Sequence, residues 1–129
     1  MKIKDLLRVK DILKKLTEKR FSSYAIIRKL VTLRKAVQSE IEIYIEQERK
    51  AVCEYAEFDK SGNPIFVEGG IKLKNPQAKI DFEKELDELR ETVVDNIEPI
   101  TLTEKDFRSV EDIPTPDEII ALEPLVLFE

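Results

Sequence analysis

A chain of 129 residues has the size of one domain, and 42% hydrophobic residues support a modest core beneath a surface rich in charge, at 38%. Having no histidine, it cannot carry Ser-His-Asp or Cys-His catalysis; its one cysteine, Cys53, permits neither an intramolecular disulfide nor a closed sulfur-ligated zinc site and fits a reducing compartment. The net charge of −5 is split, with twelve Lys or Arg against three acids in residues 1–35 (+9) and −14 over residues 36–129, so the basic end either pairs with the acidic remainder or receives an anion.

The first element in chain order is a helix over Ile3 to Leu16, with Leu6, Val9, Leu13 and Leu16 on one face and Leu7 and Ile12 beside it. Met1 to Leu16 is too charged for a signal peptide, and no stretch of the chain approaches a membrane span. After a break at Lys19 to Ser23, Ser22 or Ser23 is a suitable N-cap for a long helix over residues 22–57, which contain neither Gly nor Pro. Its stripe is Ile26, Leu30, Leu33, Val37, Ile41, Tyr44, Val52 and Tyr55. At about 54 Å it exceeds the roughly 36 Å diameter of a compact globule of this length, so it projects, bends or lies against another copy. The eleven-residue repeat Leu30, Ile41, Val52 favours antiparallel packing with shorter helices over a parallel zipper.

Asp59 to Pro64 reads as a turn, and residues 65–67 and 71–74 read as a hairpin around Gly69-Gly70. Asn75-Pro76 then opens a third helix with the stripe Phe82, Leu86, Leu89 and Val93. After Asp95 the periodicity fades. Glu98 to Leu102 suits a short strand, while Thr103 and Thr115 each begin a short helix, the second with a capping box and a stop at Pro124. Leu125 to Phe128 is an apolar run that packs on the body or on a neighbouring subunit.

Three constellations bear on function. Asp59, Ser61 and Asn63 match the first positions of a calcium loop, but Pro64 and Gly70 stand where Gly and a bidentate Glu are required, so no metal is expected. Three glycines form no phosphate-cradling loop, and no cofactor is implied. Helical projection places Tyr24, Arg28, Thr32 and Lys35 opposite the apolar stripe. A ring, a guanidinium, a hydroxyl and an ammonium together suit a phosphate bearing a base, which makes these four the candidate ligand-binding residues. The competing use of the basic end is pairing with the acids of Asp81 to Glu91. Duplex nucleic acid is disfavoured by the −14 of the remaining chain.

The helix–hairpin–helix plan resembles prefoldin subunits in outline. Over nearly the whole chain, the short first helix, the long helix ending in Glu48-Arg49-Lys50 and the turn around Asp59 and Gly62-Asn63 carry a second resemblance. The acidic helix Phe82 to Leu89 and the close at Ala121-Leu122-Glu123-Pro124 belong to it as well. In these features the chain is similar to a family of small uncharacterised proteins of tailed phages and prophages of Gram-positive bacteria. That resemblance implies phage origin and a host-cytoplasm location, and it offers no catalytic residues.

The combined expectation is a mainly α fold in which a long helix packs antiparallel against two shorter helices, with a small hairpin between helices and an irregular C-terminal tail. Residues 1–129 form a single helical domain, with 1–96 as its body and 97–129 as a packing or oligomerisation segment. The expected function is a non-enzymatic, homo-oligomeric binding protein that captures an anionic ligand such as a nucleotide signal of host defence. The alternative is an assembly or chaperone-like protein whose partner is a phage or host protein.

Overall fold

The computed structural model describes all 129 residues, and the fold is mainly α, with four helices and a small antiparallel hairpin. The backbone gathers into two compact units, Met1–Ile41 with Val93–Glu129, and Glu42–Thr92. Helix α2, Tyr24–Tyr55, supplies residues 24–41 to the first and 42–55 to the second.

In the first unit, α1 (Ile3–Thr17) buries Ile3, Leu6, Val9, Leu13 and Leu16, the face set by their spacing. α2 starts where Ser23 caps it: the Ser23 Oγ accepts from the Ile26 N–H at 3.4 Å. Its residues 24–41 bury Ile26, Leu30, Leu33, Val37 and Ile41. α1 and α2 run antiparallel, with Arg34 donating to the Thr17 hydroxyl at 3.2 Å and Lys10 and Lys14 lying beside Gln38 and Arg34.

The C-terminal segment is more regular than its fading periodicity suggests. Strand β3 (Ile100–Leu102) pairs in parallel with β4 (Val126–Phe128), in the register Ile100↔Val126, Thr101↔Leu127 and Leu102↔Phe128. Parallel strands need a crossover. Here it contains a 3-10 turn, Glu104–Phe107, and helix α4, Pro116–Leu122. Leu125 and Val126 are buried within this unit, so the terminal apolar run is used inside the fold, with Leu127 left half exposed. The break between α1 and α2 is pinned by the same segment. Phe21 meets Phe107 edge-on at 5.4 Å, the Ser22 N–H donates to Ser109 Oγ at 3.1 Å, and the largely buried Lys19 ammonium donates to the Asp112 carbonyl.

In the second unit, residues 42–55 of α2 lie antiparallel to α3 (Pro76–Arg90). Tyr55 meets Phe82 edge-on at 6.1 Å, and Arg90 Nε donates to the Tyr44 hydroxyl at 3.0 Å. Burial, then a hydrogen bond with Glu48, raises the Tyr44 phenol above its ordinary pKa. Asn75 caps α3 by accepting from the Ala78 N–H at 2.7 Å. The hairpin pairs β1 (Phe66–Val67) with β2 (Gly70–Ile71), and the turn carries Gly69 at φ 91°, a region open to glycine. A closed ring of backbone hydrogen bonds joins three segments: Glu57 N–H to Lys72 O, Lys72 N–H to Ile65 O, and Ile65 N–H to Glu57 O. Lys74 completes the end of α2, its N–H donating to Tyr55 O and its ammonium to Glu54 O at 2.7 Å.

Two details differ from the sequence pattern. Ala51, 1% exposed, takes the inward place assigned to Val52, because Leu33 and Ala51 lie eighteen residues, about five α-helical turns, apart. The eleven-residue repeat therefore ends at Ile41. Val93 lies beyond α3, is 63% exposed, and pairs with Lys2 instead of extending the stripe.

The buried junction of β3 sets a first prediction. Leu102 is fully buried, so Leu102→Ala should cost about 3 kcal/mol in urea unfolding, as for other buried leucines. A second concerns acid. The Thr115 N–H donates to Glu118 Oε1 at 3.0 Å and Lys15 lies 3.2 Å from Glu118 Oε2, and these partners, the backbone donor first, hold the Glu118 carboxyl below its ordinary pKa. Its stabilisation is present above the ordinary carboxylate range and lost as pH falls through the depressed value. Glu118→Gln should therefore flatten the loss of thermal stability on acidification.

Candidate functional site

A groove of about 730 Å³ in the first unit runs between α2 and the segment that enters β3. Its helical wall presents Ala25, Arg28, Lys29, Thr32, Leu33 and Ala36, and its other wall Asn96, Glu98, Pro99, Ile100 and Thr101. The helical wall exists because the stripe of α2 turns inward and leaves the adjoining face with two alanines, two cations and a hydroxyl. Ala25 and Ala36 are small enough to keep the wall open. Asn96 donates to Glu40 Oε1 at 2.9 Å, which ties the facing segment to α2 at one end.

Arg28 and Thr32 line this groove as neighbours, four residues apart on one helix face. Tyr24 and Lys35 do not line it, and Tyr24 stands 73% exposed. The four sequence candidates are thus divided into two that share the groove and two on the open surface. Lys29 joins the groove in their place. It lies about 120° around the helix from Lys35, so projection centred on Tyr24 could not group them. Ala25 and Ala36, two small residues on the side of Lys29, were the available sign that another segment lies there.

No hydrogen bond or ion pair within the chain engages Arg28, Lys29 or Lys35. Two cations of the basic end that pair with acids are Lys15, with Glu118, and Lys19, with Asp112. Within the first unit the segment 112–118 thus supplies acidic partners to the basic end. Groove charge is two cations against Glu98, and the first turn of α2 holds no acidic residue to offset its positive end. This wall offers N–H and O–H donors in a line, a set suited to phosphate or carboxylate oxygens.

The opposite wall adds backbone groups. The Ile100 N–H donates to Leu125 O at 2.9 Å and Leu102 O accepts from the Glu129 N–H at 2.9 Å. Strand alternation then turns the N–H and C=O of Thr101 to the edge away from β4, and Thr101 lines the groove. No hydrogen bond within the chain takes them up.

The Asp59 turn has the form expected of an ordinary loop. Asp59 Oδ1 accepts from the Ser61 N–H at 2.9 Å and the Asn63 N–H at 3.0 Å, which commits that oxygen to the local backbone. A second cavity, about 370 Å³, lies among Leu102, Phe107, Ile113, Pro114, Ile119 and Phe128, with Arg108 at its rim. Phe107 and Phe128 stack there at 6.1 Å. Phe107 did not stand out in the sequence and Phe128 only as the end of the terminal apolar run, since the pocket arises from pairing β3 with β4. No helix is long and apolar enough to cross a membrane.

A comparison of the chain with protein-family models, with curated proteins and with solved structures gives no match.

Proposed function

We propose that this chain is a non-enzymatic binding protein whose groove between α2 and β3 captures an anionic group. The observation that carries the reading is the shared exposure of Arg28, Lys29 and Thr32 to one groove, with both cations unpaired inside the chain. Lys15 and Lys19, by contrast, pair with acids of the segment 112–118. Leaving two cations unpaired on a groove wall suits a partner from outside. The proposed setting, a host cytoplasm, and the proposed anion, a nucleotide signal of host defence, rest on the resemblance to phage and prophage proteins alone.

The reading includes self-association. Tyr24, Ile27 and Val31 are 73%, 38% and 41% exposed at spacings of three and four, an apolar stripe on α2 that remains accessible. Light scattering at micromolar concentration should give a mass above the 15.0 kDa of one chain, and Val31→Glu should lower it. A monomer in both cases removes the oligomeric part of the proposal.

The groove itself is tested with a defined probe. Inorganic pyrophosphate should be retained in equilibrium dialysis, and Arg28→Glu with Lys29→Glu should weaken it at least about a hundredfold, given about 1.5–3 kcal/mol for each charge-assisted contact. Lys35→Glu, outside the groove, should change retention by no more than about threefold at physiological salt. Equal losses at Lys35 and Lys29 would show a diffuse basic surface instead of a site.

A further inference from the structure

We propose that the ligand class of this groove is an extended acidic peptide, laid as an added strand against the outer edge of β3. This rests on the anion-capture reading of the same groove and names what carries the anion.

The choice between a free phosphate compound and a peptide turns on Thr101. A phosphate only accepts hydrogen bonds. The strand edge presents a donor and an acceptor together, the N–H and C=O of Thr101, both unengaged and both on the side away from β4, in a residue that lines the groove. A carbonyl oxygen beside a bound phosphate is repulsive, whereas the backbone of an extended peptide answers donor with acceptor and acceptor with donor. The peptide's side chains would then alternate in direction. Those turned toward α2 meet Arg28, Lys29 and Thr32, which select carboxylates. Glu98 lies on the β3 side of the groove and disfavours a second acid next to it, so the preferred sequence is acidic toward the helix and neutral toward the strand. Pro99 has no N–H and β3 is three residues long, so the ladder is short and charge supplies much of the affinity.

The probes are capped, fluorescein-labelled peptides of about six residues, the usual strand length. One alternates Glu with Val. A second has Lys in place of Glu, and two more are N-methylated at one or the other set of alternate amides. Anisotropy with the unmodified protein should show binding of the Glu peptide, at least about tenfold weaker binding of the Lys peptide, and a loss of about tenfold for one methylated set only, as expected for a missing backbone hydrogen bond. Thr101→Pro removes the outward donor at an edge position where proline is tolerated. It should weaken the Glu peptide about tenfold.

Equal binding of both methylated peptides, or retention of pyrophosphate without binding of the Glu peptide, overturns the strand-addition proposal and leaves anion capture standing. If the unmodified protein retains neither pyrophosphate nor the Glu peptide, anion capture falls and this inference with it. The methylated peptides need no variant, so the conclusion survives a Thr101→Pro chain that does not fold.

Discussion

Burial of one face of α2 is the constraint from which the first unit follows. Ile26, Leu30, Leu33, Val37 and Ile41 are all under 9% exposed, and an isolated helix of this kind could not hide them. α1 brings Leu6, Val9, Leu13 and Leu16, and the C-terminal segment brings Leu102, Leu122, Leu125 and Val126. Because α1 runs antiparallel to α2, the face of α2 beyond the contact is left to the segment 96–101. The groove is the space remaining between that segment and a helical wall kept low by Ala25 and Ala36. Its charge follows from the same arrangement: 112–118 lies beside Lys15 and Lys19 and neutralises them, leaving Arg28 and Lys29 without an internal acid.

Local signals in the sequence carried most of the helical plan. Ser23, Asn75-Pro76 and Thr115 with Glu118 mark helix starts through hydrogen bonds made within a few residues, and all three act as caps. The buried stripes of α1 and of α2 as far as Tyr44 follow from the 3.6-residue period alone. Elements set by distant partners were less legible. β3 and β4 are separated by the whole crossover, and their parallel register has no turn signature to announce it. The inward turn of Ala51 depends on helical phase accumulated over many residues, where a repeat of eleven and a repeat of eighteen diverge.

The candidate site shows the same division. Arg28 and Thr32 share a helix face, a local property, and they do share the groove. Which side of that face becomes a wall is set by residues 96–101, roughly seventy residues later in the chain, and no periodicity encodes it. This is why Tyr24 and Lys35 were grouped with them and Lys29 was not. Thr101 was invisible for a related reason: its edge is defined by the pairing of its neighbours with β4.

The central claim is that anion recognition is localised to the α2–β3 groove and is not spread over the basic end. Amide chemical-shift mapping of the isotope-labelled protein during a pyrophosphate titration addresses it most directly. The account predicts saturable shifts confined to residues 25–36 and 96–101, with Thr101 among those that move. Shifts centred on the lysines of α1, or non-saturating shifts across all of residues 1–35, would contradict it.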